Sequence, residues 1–73
     1  MKSLAQLSIN EQGVIQSIAK SEFSNKLMEM GILPGSEVKM CSKAPFGGPV
    51  CVEVCGYCLS LRKKEAGLII ISE

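Results

Sequence analysis

The sequence predicts a mainly β protein with short helices: a small barrel of about five strands, with one helix inserted after the first strand. Three observations lead there. Short β-branched or alternating segments are separated by turn residues. A single segment, ending at Met30, carries a helical stripe. The chain has 73 residues, 47% apolar, with two Phe, one Tyr and neither Trp nor His, so residues 1–73 predict one domain around a small aliphatic core.

Ser3-Leu4-Ala5-Gln6 matches a capping box and opens one helical turn that places Leu4 and Leu7 on the core. Asn10-Glu11-Gln12-Gly13 reads as a type I turn. Val14–Ile18 is a β-branched strand whose alternation is broken, because Val14 and Ile15 are adjacent; a bulge and a strand covered on both faces both fit. Ser21 or Ser24 caps the following helix, in which Phe23, Leu27 and Met30 form one stripe at i, i+4 and i+7. Met28 falls off that stripe and is the apolar helix residue expected at the surface.

Gly31 suits the left-handed position that ends a helix, with Leu27 and Ile32 as the apolar pair closing a Schellman motif. Leu33-Pro34-Gly35-Ser36 suits a type II turn: Pro34 presets φ at i+1 and Gly35 supplies the positive φ at i+2. Twelve residues, Leu27 to Val38, thus specify a helix-to-strand corner. Ser36–Lys43 is the next strand. Ala44–Pro49 is a loop with Phe46 at its tip, where an aromatic is unexpected unless it folds back onto the body.

Val50, Val52 and Val54 alternate with Cys51, Glu53 and Cys55, and Tyr57, Leu59 and Leu61 with Cys58, Ser60 and Arg62. A type II′ turn at Gly56-Tyr57 joins them into a hairpin that opposes Val54 to Leu59, Val52 to Leu61, and Cys55 to Cys58. Lys63–Ala66 forms one helical turn before Gly67, and Leu68–Ile71 is the last strand, either buried on both sides or closing the barrel.

Composition narrows the chemistry. A net charge of +1 gives no electrostatic reason to expect nucleic acid or an acidic membrane as the main partner, and the basic residues Lys39, Lys43, Arg62, Lys63 and Lys64 read first as a solvated face. With no His, no Ser/His/Asp or Cys/His set exists, and Gly47-Gly48 lacks the sequel of a phosphate-binding loop. An enzyme is not expected. The longest aliphatic run, Leu68–Ile71, is too short to span a bilayer, so a cytoplasmic protein without membrane insertion is expected, with Cys41, Cys51, Cys55 and Cys58 reduced.

Cys55-Gly56-Tyr57-Cys58 is a C-x-x-C on a hairpin, not at a helix N-terminus, which removes the usual support for a redox pair. Cys55 and Cys58, with Cys41 across the next strand, are the weak metal candidates; weak Fe(II) or Zn(II) binding is the most they predict, and no cofactor is expected. Cys51 lies roughly 13 Å along the strand from Cys55 and is expected outside that site. The plainest reading gives the thiols no specific role.

The run Leu27 to Val38 resembles the R-L-x-E-L-G-hydrophobic-x-P-G-x-x-V signature of FeoA domains. The likeness continues through Ala44–Val50, Gly56-Tyr57, Leu59–Arg62 and Glu65-Ala66. The resemblance implies an SH3-like β-barrel and a small bacterial cytosolic accessory protein of ferrous iron transport. Its implied partner is the FeoB-type GTP-binding ferrous iron transporter. Lys26 stands where the family usually has Arg, and Cys51, Cys55 and Cys58 stand where it usually has polar residues, so the cysteines inherit no role. The partner-binding surface is expected at Met28, Leu33, Pro34 and Phe46, around the turn residues Gly31, Pro34, Gly35 and Gly56. A surface of this kind also predicts weak self-association.

Overall fold

The computed structural model describes residues 2–72. Six strands form one antiparallel sheet in the order β1-β6-β2-β3-β4-β5. They are β1 (Lys2–Ser3), β2 (Gln12–Ile18), β3 (Glu37–Lys43), β4 (Val50–Val54), β5 (Tyr57–Leu61) and β6 (Ile69–Ser72). A 3-10 turn at Leu4–Gln6 follows β1; helix α1 (Ser24–Glu29) lies between β2 and β3, and α2 (Lys63–Ala66) between β5 and β6. The mainly β architecture with short helices is the one expected. The two-residue β1 adds a sixth strand, and the ladder does not close, because β1 and β5 each pair on one side only.

The sheet curls around an aliphatic core that includes Leu4, Leu7, Ile15, Leu27, Ile32, Met40, Val52, Leu61 and Ile69, each no more than 1% exposed. Burying a side chain of this size stabilises by about 1.5–3 kcal/mol before ordering costs. Leu4 reaches the core from the 3-10 turn, where the Gln6 side chain accepts the Ser3 N–H at 2.8 Å. The turn before β2 falls two residues earlier than expected. Glu11 N–H donates to Ser8 C=O at 2.9 Å, and Asn10 takes the positive φ of 72° that its side chain tolerates. Gly13 is thereby a strand residue.

The broken alternation of β2 is a bulge: between Ile15 and Ser17 the register against β6 shifts, Ile15 pairing with Ile71 and Ser17 with Ile70. Ahead of the bulge ordinary alternation buries Ile15 and leaves Val14 exposed, and the extra residue at Gln16 brings Ile18 back against the core. A second register shift, at Cys41 in β3, sets Met40 opposite Val52 and Ser42 opposite Cys51.

The β4–β5 hairpin departs from the predicted register. Val54 pairs with Tyr57, Glu53 with Cys58, Val52 with Leu59, Cys51 with Ser60 and Val50 with Leu61. The turn is Cys55-Gly56, not Gly56-Tyr57. Both residues have positive φ, 52° and 80°, as a type I′ turn requires, and that turn matches the twist of its strands. Moving the turn by one residue slides the ladder by two, so every side chain keeps its face while its partner changes. Cys55 leaves the ladder and no longer opposes Cys58.

Candidate functional site

The corner between α1 and β3 is built as its residues dictate. Ile32 N–H donates to Leu27 C=O at 3.0 Å and Gly31 N–H to Met28 C=O at 3.0 Å, the two bonds of a Schellman motif, with Gly31 at φ 97°. Leu27 and Ile32 are fully buried. Ser36 N–H then closes the turn onto Leu33 C=O at 3.0 Å, with Gly35 at φ 91°. Gly35 N–H donates to Ile15 C=O at 2.7 Å and Ile15 N–H to Ser36 C=O at 2.9 Å, so the end of the corner that leads into β3 is bonded to β2.

On this fixed backbone Met28 and Leu33 are 42% and 46% exposed, and Pro34 is exposed beside them. Ile32 points inward and Leu33 outward because the Schellman closure uses Ile32 as its apolar partner. Two further apolar groups, absent from the sequence expectation, belong to this end of the sheet. Val14 is exposed and pairs with Glu37 at the start of β3; Tyr57 is exposed on the hairpin strand whose partner Val54 pairs with Val38. Between corner and hairpin tip lies an open cleft of about 380 Å³, lined by Ser36, Glu37, Lys39, Glu53, Cys55 and Gly56 among others. Val14 was signalled by the adjacent Val14-Ile15 pair; for Tyr57 the misplaced turn hid the signal.

Phe46 does not join this surface. It sits beyond the Lys43 end of β3, whereas Leu33 and Pro34 precede its Glu37 end, a strand length of about 20 Å away. Nor does it fold back. Phe46 and Gly47 both have positive φ, 60° and 75°, Gly48 N–H donates to Pro45 C=O at 3.2 Å, and the Phe46 ring is fully exposed. A type I′ turn aims the residue at this position away from the sheet.

The thiols regroup as well. Cys51 and Cys58, on adjacent strands and diagonal in the ladder, bring their Sγ atoms to 3.4 Å. The expected Cys55–Cys58 opposition is absent because Cys55 occupies the turn. Hydrogen bonding with Cys51 is the main reason that the Cys58 thiol titrates above its usual range. Desolvation, with a further contribution from the Cys58 thiol, raises Cys41 likewise. Cys41 therefore does lie by Cys58, and Cys51, set aside on spacing to Cys55, is the nearer neighbour. Among the described residues no three His, Cys, Asp or Glu side chains converge on a point where they would hold a metal ion.

The ends of the helices are tied together. Glu65, buried, accepts the Arg62 N–H at 3.0 Å with Oε1 and faces Lys26 Nζ at 3.8 Å with Oε2. Lys64 Nζ stands 5.7 Å from the centroid of the Phe23 ring. Among the described residues no helix is long and apolar enough to cross a membrane.

This architecture has close relatives of known structure. A FeoA-like protein from Clostridium acetobutylicum is 37% identical, superposes with a TM-score of 0.88, and is matched over 96% of this chain and 83% of its own. Iron(II) transport protein A from Clostridium thermocellum is 31% identical at a TM-score of 0.88, over 96% of this chain and 44% of its own. The FeoA of Stenotrophomonas maltophilia, solved in complex with zinc and described as a procaryotic SH3 domain protein, is 27% identical at a TM-score of 0.87, over 99% of this chain and 91% of its own. The FeoA domain family itself matches residues 2–73. With the signature residues of the corner lying in the geometry that explains them, and the family's match running through every strand, the chain belongs to the FeoA domain family.

Proposed function

We propose that this chain is a non-enzymatic accessory protein of bacterial ferrous iron uptake, working on the cytosolic side by binding the GTP-binding part of an FeoB-type transporter. Family membership supports the iron-transport setting, and the Stenotrophomonas relative is itself described as a candidate ferrous iron transport activating factor. The contact surface rests on one observation: Met28 and Leu33 stand exposed on a corner pinned by the two Schellman bonds, the Ser36–Leu33 turn bond and two bonds to Ile15. A rigid corner loses little conformational freedom on docking, and a flexible Met adapts to the opposing surface. Pro34 extends the patch, and burial of these groups inside a polar rim suits a transient complex.

Replacing Met28 and Leu33 together by Asp is expected to weaken binding to the isolated cytosolic domain of the transporter at least tenfold, read by calorimetry, with an unchanged circular dichroism spectrum. Native-like affinity in the folded double variant assigns the contact elsewhere.

The Cys51–Cys58 distance favours a second reading, a thiol-based metal-handling protein. Two sulfurs 3.4 Å apart are close to the spacing of about 3.8 Å that two thiolates adopt on a tetrahedral zinc with 2.3 Å bonds. Further ligands would come from Cys41 after side-chain rotation or from a second chain. Anaerobic zinc titration is expected to show micromolar or tighter binding that is lost in Cys51→Ser/Cys58→Ser and retained in Cys55→Ser. Equal binding by all three proteins removes this reading.

A further inference from the structure

We propose that the Pro45–Gly48 hairpin tip is a peripheral membrane contact that inserts Phe46 into an anionic bilayer surface. Phe46 holds a left-handed backbone conformation that favours Asn or Gly, and its ring touches no part of its own fold. The strain therefore brings no packing in return. An aromatic ring displayed in this way is matched by a low-polarity environment outside the molecule, and the headgroup–acyl boundary is where aromatic side chains partition.

The charge behind the tip selects the surface. Lys43 ends β3, and Lys63 runs beside the hairpin, its Cδ 3.9 Å from where a Cβ on Gly47 would stand. Both line one depression with Gly47, Gly48 and Ala5. Arg62 follows Leu61, which pairs with Val50 at the base of the same hairpin; Lys43, Arg62 and Lys63 are exposed, while Lys64 is turned to the Phe23 ring. The one carboxylate in these two segments, Glu65, is turned inward onto the Arg62 N–H and Lys26. This end of the molecule thus presents an apolar prong in a cationic rim, although the whole chain carries only +1. One apolar anchor combined with a basic patch is the two-signal arrangement that holds a protein reversibly on anionic lipid. A single-stranded nucleic acid is a poorer match, since one ring offers no stacking platform for successive bases.

The inference is independent of the transporter reading, because the probe is a lipid vesicle without protein. The chain is sedimented with vesicles of equal parts phosphatidylcholine and phosphatidylglycerol, and with phosphatidylcholine alone. Binding is expected only to the anionic vesicles and is expected to fall as salt is raised. Phe46→Asn, which keeps the turn, is expected to lower partitioning about tenfold. Lys43→Gln/Lys63→Gln is expected to lower it about twenty-five-fold, at about fivefold per cation. No binding at low salt, equal binding to neutral vesicles, or wild-type binding by the folded Phe46→Asn variant overturns the proposal. Preferential binding of single-stranded RNA over the anionic vesicles overturns it too and reassigns the tip.

Discussion

Gly31 and Phe46 occupy the same left-handed region of backbone space, at φ 97° and 60°, for opposite reasons. At Gly31 the conformation closes a helix, and the residue is the one that adopts it at least cost, so sequence chemistry alone located it. At Phe46 the residue opposes the conformation; the loop was legible from Pro and Gly content, but the direction of the ring was not. Two substitutions separate steric from conformational cost. Nothing lies within 4 Å of a Cβ placed on Gly31, so Gly31→Ala is expected to cost about 1 kcal/mol through φ alone. A Cβ on Gly13 would stand 2.6 Å from Ile71 Cγ2, so Gly13→Ala is expected to cost about 1–3 kcal/mol through overpacking. Urea unfolding reads both, and Ile71→Ala in the Gly13→Ala background is expected to cost less than it does alone. Additive losses would show that the two side chains do not compete for space.

At the scale of elements, the hairpin shows what alternation encodes and what it leaves open. Alternation assigns faces, and a ladder slide of two residues preserves every face. Only the turn chooses between such registers: a glycine in first central place suits the expected type II′ turn, and the same glycine in second place suits the type I′ turn that forms. The thiol neighbourhood, which depends on register and not on face, was therefore misread while the burial of Val50, Val52 and Val54 was not. A strand of two residues such as β1 has no periodicity to read, and its place is held instead by side chains. Lys2 donates to Glu11 at 2.6 Å, and Glu11 also accepts the Ser8 N–H at 2.8 Å. The Lys2 hydrogen bond, then that of Ser8, lowers the Glu11 pKa from its ordinary 4.5. A lowered folded-state value means stability that is present above the unfolded pKa and lost as pH falls through the folded one. Glu11→Gln is expected to flatten the acid limb of the stability–pH curve below about pH 4.5; an identical limb in wild type and variant would show that the pairing does not contribute.

For the whole molecule, the count of short strands and the lone helical stripe were enough to give the fold class. The sheet order was not, because β6 and β1 meet residues nearly a full chain length away, and no local pattern marks such a pairing. The apolar surface residues were mostly legible as residues but not as a surface: Met28, Leu33 and Pro34 share one end, and Phe46 marks the other. Two ends with different chemistry are expected to act independently. The Met28→Asp/Leu33→Asp protein should keep its vesicle binding, and Phe46→Asn should keep its affinity for the transporter's cytosolic domain. Loss of both activities in either variant would place them on a common surface.

The position of β6 in the sheet has one more consequence, for biosynthesis. It sits between β1 and β2, so the earliest strand made has no sheet neighbour except the latest. While Ile69–Ser72 is still inside the ribosome, Lys2–Ser3 has nothing to pair with and the Ile15 edge of β2 is open. The hairpins can form as they emerge, but the domain completes its sheet only after synthesis of its own last strand. Until then the nascent chain exposes a hydrophobic strand edge, and its final four-residue strand acts as the latch.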